Sequence, residues 1–182
     1  MQPKKFNFKE KKPFYLLLRY LILLALMFSL PLIYKILTPL TVYSSAGLLG
    51  LFYQVSVSGN NIIIPLITIQ IIPACVAGSA YLLTLILNIS ISMKLKKRIY
   101  SILFATILLF LLNTLRIFIL SVLLINNSQF FDFTHKLFWY ILSTVFVIGI
   151  WFLTTKIFSI KKIPVYDDIK YLIKNIKGKS KK

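Results

Sequence analysis

Four long apolar stretches dominate the chain and predict helices that cross a membrane. Each has about the length that a transmembrane helix needs, roughly 17–25 residues. The stretches are Phe14–Leu37, Cys75–Ser92, Ile99–Ile125 and His135–Phe158. The pattern therefore predicts a bundle of about four transmembrane helices.

The segment between the first two stretches predicts a small structure outside the bilayer. Gly47–Tyr53 is apolar and aromatic, which is typical of a short helix lying at the membrane interface. Gln54–Ser58 and Ile67–Ile71 alternate apolar and polar residues with period two, and Gly59–Asn61 is a turn signal. We expect these segments to form a β-hairpin, which must pack on the helices because a lone hairpin is marginally stable in water.

The composition excludes the common classes of soluble protein. The length of 182 residues is that of one domain. Hydrophobic residues make up 58% and charged residues 14%, against about 45–50% and about 25% in soluble domains, and the mean hydropathy is +0.84. These values exclude a soluble globular protein, a disordered chain and a coiled coil. The predicted fold class is an all-α integral membrane protein, a helix bundle with an interfacial helix and a small extracytoplasmic β-hairpin.

Positive charge is concentrated on one side of this predicted bundle. Lys and Arg number 22 against 4 Asp and Glu, and 18 of them lie before residue 14, in the 93–98 loop or in the tail from Lys156 onward. Segments 38–74 and 126–134 contain none. Cytoplasmic loops are enriched in Lys and Arg, so both termini are predicted to be cytoplasmic. This topology explains the charge without a nucleic-acid partner.

The same pattern predicts three parts of the chain. They are a basic cytoplasmic N-terminus (1–13), a transmembrane domain (14–158), which three of its residues make the expected catalytic domain, and a lysine-rich cytoplasmic tail (159–182). The first apolar stretch is too long for a cleavable signal peptide and lacks a nearby small-residue cleavage site, so we expect it to remain. The tail is expected to orient the chain and to attract anionic lipid headgroups.

Three chemically distinctive residues fall toward the extracytoplasmic end of the predicted bundle. Cys75 and His135, the only cysteine and histidine, begin the second and fourth stretches, and Arg116 lies inside the third. An arginine in the membrane costs about 2.5–3.5 kcal/mol on insertion scales and is a functional candidate by default. Its long side chain can extend roughly 10 Å toward the outer boundary. We therefore expect the three side chains to lie at one level.

Each residue also has a purely structural interpretation. A lone cysteine in an apolar helix is commonly a small buried hydrophobe, an interfacial histidine is commonly solvated, and an intramembrane arginine can bond carbonyls of neighbouring helices. Together the three residues favour a catalytic role. A thiol nucleophile needs a general base such as imidazole, and a tetrahedral acyl intermediate needs charge stabilisation, which a guanidinium supplies. Cys75, His135 and Asp132 could form at most a sparse metal site, so no metal or cofactor is predicted.

With Cys, Arg and His in this order on three stretches, the chain resembles the exosortase/archaeosortase family. The resemblance rests on Ile72–Ser79, on the N-x-x-R-I sequence within Leu112–Ile117, on His135 and on the hairpin-like Val55–Asn60, and it covers roughly residues 14–155. Gly78 comes one position later than in the commoner cysteine motif. The short length and the Ile- and Lys-rich composition favour a four-span archaeal member.

The resemblance implies a membrane cysteine transpeptidase or protease. Its substrates would be surface proteins with a C-terminal signal, made of a short motif, a transmembrane helix and basic residues. Cys75 would form a thioester with the substrate, His135 would act as acid and base, and Arg116 would stabilise the oxyanion or the thiolate. A membrane lipid is the expected acceptor. The alternative is a non-enzymatic membrane assembly factor or scaffold with a lipid-binding basic tail.

Overall fold

A computed structural model of the chain describes residues 12–65, 67–91 and 93–160, with side chains from residue 17 onward. Residues 1–11 and 161–182, which hold most of the predicted basic N-terminus and tail, lie outside the described residues. The helices are α1 (Lys12–Met27), α2 (Leu30–Gly50), α3 (Pro73–Val76), α4 (Gly78–Ser90), α5 (Leu95–Ile125), α6 (Phe131–Leu137), a π-helical segment (Phe138–Leu142) and α7 (Ser143–Ile157). The strands are β1 (Ser56–Ser58), β2 (Asn61–Ile64) and β3 (Ile67–Gln70).

This arrangement confirms the predicted fold class, a mostly helical membrane protein with a small antiparallel sheet. Three helical segments are long and apolar enough to cross a membrane, namely Leu30–Gly50, Leu95–Ile125 and Phe131–Ile157. Large apolar side chains are exposed on them, such as Leu111 (58%) and Phe152 (67%). Side chains of this size are exposed along a helix in this way when lipid rather than water surrounds it.

The first predicted stretch is divided where we expected one continuous helix. The ring of Pro31 removes a backbone donor and clashes with the preceding turn, so α1 ends at Met27 and α2 begins at Leu30. The Ser29 hydroxyl donates to the carbonyl of Leu26 at 2.6 Å and satisfies one group at the break. The predicted interfacial helix is also corrected, since Gly47–Gly50 is the last turn of α2 and residues 51–53 follow it as a turn.

The predicted hairpin is a three-stranded meander of order β1-β2-β3. The turn at Gly59 (φ +59°) is where we expected it, but β1 pairs with Asn61–Ile64 rather than with β3. This strand was missed because its apolar run does not alternate. In the structure it is the central strand, with Ile62 and Ile64 buried on one face and Ile63 38% exposed on the other.

Two apolar clusters hold the helices together, and α5 contributes to both. The first joins α2, the sheet, α3 and α5 around Val42, Leu49, Ile62, Val76 and Ile117. The second joins α4, α5 and α7 around residues such as Tyr81, Leu109 and Ile150. α5 therefore runs as the central helix, with the sheet beside its C-terminal part.

The opposite end of α5 carries basic residues and a buried polar cluster. The Lys97 ammonium donates to the carbonyl of Ser159 at 3.1 Å, which places the 94–98 segment beside the end of α7. Nearby, the Asn88 amide oxygen accepts a hydrogen bond from the Ser101 hydroxyl at 2.7 Å. The 94–98 segment and Lys156, the first basic residue of the predicted tail, thus lie at the end of the bundle away from the sheet. Which side of the membrane this is stays a prediction.

Candidate functional site

Cys75 lies on a single helical turn between the sheet and α4, where we expected the start of a full span. Ile72 is extended (φ −88°, ψ 163°) because the following Pro73 disfavours a helical conformation before it. α3 then ends after Val76, since Ala77 adopts a left-handed conformation (φ 59°, ψ 34°). The second apolar stretch is therefore interrupted directly after the cysteine, and Cys75 is half-buried there.

Gly78 allows this interruption to pack against α2. A Cβ atom at Gly78 would lie 2.5 Å from Cε1 of Tyr34, closer than real side chains approach. Only glycine lets the Tyr34 ring lie against the backbone at the start of α4. Gly78, which comes one position later than in the commoner cysteine motif, therefore has a packing role.

Asn113 and Arg116 of α5 bind the backbone of the turn that carries Cys75. They are three residues apart and so share one face of the helix. The Asn113 side-chain amide donates to the carbonyl of Cys75 at 2.9 Å and reaches that of Val76 at 3.5 Å. The Arg116 Nη2 atom donates to the same Cys75 carbonyl at 3.1 Å. α3 is too short to satisfy these carbonyls within itself, so α5 supplies the donors.

Arg116 retains further donors after making this contact. A guanidinium carries five N–H groups, and its Nε is buried without a hydrogen-bond partner among the described residues. The interpretation of Arg116 as a residue bonded to neighbouring carbonyls is thus correct for one contact. It does not account for the remaining N–H groups.

His135 lies on α6 within a row of aromatic rings. Its imidazole stacks on Phe131, with ring centres 5.6 Å apart and planes at 20°, and meets Trp139 edge-on at 6.2 Å. These partners are four residues before and after it, on the same helical face. The side chain is exposed, so two rings orient the imidazole while it stays accessible.

One cavity of about 280 Å³ brings the three predicted residues together. Cys75, Arg116 and His135 all line it, from three separate elements. The rest of its wall is mostly apolar and comes from β3 and the residues after it, the last turns of α5, and the aromatic residues of α6 and the π-helical segment. Among the described residues, no three His, Cys, Asp or Glu side chains are grouped so that they could hold a metal ion.

A second cavity of about 690 Å³ lies on the other side of Arg116 and Trp139, which line both. Small and hydroxyl-bearing residues of α3, α4 and α7 form much of its wall, including Ala77, Ala80 and Ser143. Leu83 and Ile148 are 45% and 50% exposed at its rim, so the cavity opens between α4 and α7. The sequence alone predicted neither this second cavity nor the hydrogen bond from Asn113 to the Cys75 carbonyl.

The chain matches a family of known proteins. The family model of the transmembrane exosortases matches residues 8–153, most of the chain. This chain belongs to the transmembrane exosortase family. No curated protein and no solved structure matches it.

The family resemblance predicted from Cys75, Arg116 and His135 is thereby confirmed, and it supports a membrane transpeptidase or protein-sorting role in general. The archaeal origin stays a prediction. So do the catalytic roles of the three residues, which the family match does not address.

Proposed function

We propose that this exosortase is a cysteine transpeptidase that cleaves the C-terminal sorting signal of surface proteins at the extracytoplasmic membrane surface. The observation that carries the proposal is the single cavity lined by Cys75, Arg116 and His135. A thiol can act as the nucleophile, an imidazole as the acid and base, and a guanidinium as the oxyanion donor in acyl transfer through a thioester. The chain has one cysteine and one histidine, and both reach this cavity.

The first step forms the acyl-enzyme. His135 takes the proton of the Cys75 thiol, and the sulfur bonds to the scissile carbonyl carbon. The unused N–H groups of Arg116 stabilise the oxyanion of the tetrahedral intermediate. The peptide C–N bond then breaks, and His135 returns the proton to the leaving amine, which carries away the transmembrane helix of the signal.

The second step releases the product. An acceptor amine, such as that of a lipid headgroup, attacks the thioester carbonyl, forms an amide and returns the Cys75 sulfur as the thiol. With water as the acceptor the same step is hydrolysis. The second cavity shares Arg116 and Trp139 with the Cys75 cavity and opens between α4 and α7, so it could admit a lipid acceptor or a membrane-anchored substrate.

The test is co-expression with an epitope-tagged surface protein of the source organism that ends in a short motif, a transmembrane helix and a basic cluster. Cys75→Ala and Cys75→Ser should abolish cleavage of this reporter, while each enzyme variant still accumulates in the membrane. Ser90→Ala is the matched control, because Ser90 is buried and bonds the carbonyl of Ile86 at the far end of α4.

Mass spectrometry of the trapped Cys75 acyl adduct would identify the thioester directly. Unchanged cleavage in both Cys75 variants would refute the nucleophile and favour a non-enzymatic assembly factor. Because Cys75 is the only cysteine, labelling by a membrane-impermeant maleimide also reports which side of the membrane the site faces.

A further inference from the structure

The wall of the Cys75 cavity includes the open edge of a β-sheet. β3 is the last strand in the order β1-β2-β3, so it pairs with β2 on one side only. Five consecutive residues, 68 to 72, line the cavity. Since successive side chains point to opposite faces of a sheet, a cavity on one face would be lined by every second residue. The cavity therefore runs along the edge of β3.

The register shows which backbone groups point out from this edge. The N–H of Ile71 donates to the carbonyl of Asn60 at 2.9 Å, directly opposite in the β2–β3 register. Hydrogen-bonded and non-hydrogen-bonded pairs alternate along an antiparallel ladder. Ile69 and Ile67 therefore also bond toward β2, whereas the N–H and C=O groups of Thr68 and Gln70 point away from it. Both residues are exposed.

An edge strand with free backbone groups is a template for another extended segment. From the proposed function we infer that the sorting motif of the substrate binds by strand addition to β3, pairing with the backbone of Thr68 and Gln70. The strand leads through Ile72 and Pro73 to Cys75, so a peptide paired along it reaches the nucleophile at the Gln70 end. Backbone pairing would hold the peptide extended, and the apolar cavity wall would select its side chains.

A proline at position 70 tests the pairing. Gln70→Pro removes an outward N–H from an edge position, where proline is compatible with a strand, while Gln70→Ala removes the side chain and keeps the N–H. Gln70→Pro should slow cleavage of the tagged reporter about tenfold or more, as expected when a partner carbonyl loses its donor. Gln70→Ala measures the effect of losing the side chain alone, so Gln70→Pro should cleave markedly more slowly than Gln70→Ala.

The opposite edge of the sheet provides the matched control. By the same alternation, the N–H of Val57 in β1 points away from β2, and Val57 does not line the cavity. Val57→Pro should therefore spare cleavage. Equal loss in Val57→Pro and Gln70→Pro would mean that only the integrity of the sheet matters and would overturn the inference, as would full activity in Gln70→Pro.

A cross-linking measurement decides the matter if Gln70→Pro fails to fold. In the Cys75→Ala chain, p-benzoyl-phenylalanine in place of Thr68 should cross-link to the tagged reporter, and in place of Val57 it should not. Cross-links from both positions, from neither, or to a second copy of this chain would overturn the inference. If cleavage depends on Cys75 but not on the β3 edge, strand addition alone fails. If cleavage survives without Cys75, the proposed function fails.

Discussion

Replacing Asn113 by leucine should slow cleavage of the reporter, whereas a similar loss of stability elsewhere in the bundle should not. The Asn113 amide and the Arg116 guanidinium share the carbonyl of Cys75, at 2.9 and 3.1 Å. Asn113→Leu keeps a side chain of similar size in this buried position but removes the donor. Of the two side chains of α5 that hydrogen-bond to the Cys75 carbonyl, only Arg116 would then remain, and the proposed mechanism needs Arg116 for the oxyanion.

The magnitude follows from the groups that lose a partner. A buried polar group left unsatisfied costs about 1–3 kcal/mol. The Cys75 carbonyl keeps one donor and the Val76 contact is long at 3.5 Å, so we expect a loss near the lower end, about 1–2 kcal/mol. A nucleophile displaced by about 1 Å loses on the order of 100-fold in rate. Asn113→Leu should therefore slow reporter cleavage by roughly 10- to 100-fold.

Asn88 offers a matched control at the other end of the bundle. It is also buried, and its amide donates to the carbonyl of Thr84 at 3.0 Å and accepts from the Ser101 hydroxyl at 2.7 Å. Asn88→Leu should lower stability by a similar amount, about 1–3 kcal/mol, and leave cleavage close to its original rate. It touches neither cavity.

The assay measures cleavage of the tagged reporter by each purified variant in lipid vesicles, with enzyme in excess so that the rate reports the chemical step. Thermal unfolding in detergent, followed by tryptophan fluorescence, gives the stability of the same preparations. Cleavage by Asn113→Leu at the original rate would show that the Asn113 bond to the Cys75 turn is dispensable. Equal slowing in Asn88→Leu would show that stability alone explains the effect.

Three further substitutions test the site and its supports. Arg116→Lys should insert into the membrane normally but cleave the reporter about 100-fold more slowly, because the three N–H groups of an ammonium radiate from one nitrogen and lack the planar fork that bonds the Cys75 carbonyl and directs further N–H groups elsewhere; a near-normal rate would mean that charge alone suffices. Gly78→Ala should lower the unfolding temperature, with a loss of about 1–3 kcal/mol, because the new methyl group meets the Tyr34 ring, and an unchanged temperature would contradict this close packing. Ala77→Gly should raise the unfolding temperature slightly, by about 0.5–1 kcal/mol of stability, because glycine adopts the left-handed conformation without a side-chain clash; a decrease would mean that the Ala77 methyl contributes more by packing than it strains the backbone.

Much of this protein could be predicted from local properties of the sequence. The lengths of the apolar stretches and the positions of Lys and Arg can be seen directly in the chain. They indicated a membrane helix bundle whose basic segments lie at one end. The order of Cys75, Arg116 and His135 indicated the family, which the match over residues 8–153 confirmed. The alternating segments indicated a sheet beside the cysteine, although they assigned the wrong partner to β1.

The helix boundaries illustrate where local patterns become ambiguous. An apolar run can be read as one span, but Pro31 divides the first stretch and the left-handed Ala77 interrupts the second. The run at Ile62–Ile64 has no apolar–polar alternation, although Ile62 and Ile64 are buried and Ile63 is 38% exposed. In each case neighbouring elements decide which of several allowed backbone conformations is adopted.

By itself the sequence determined the class of protein, its family and the identity of the chemical groups, because these follow from residue types and their spacing. Only the tertiary structure decided how the groups are held. Asn113 and Arg116 meet a carbonyl 38 and 41 residues away, and β3 has a free edge at the cavity because β2 takes its other side. Such contacts form when separate elements bury their apolar faces against α5. They join residues far apart in the chain, so a local segment of sequence cannot predict them.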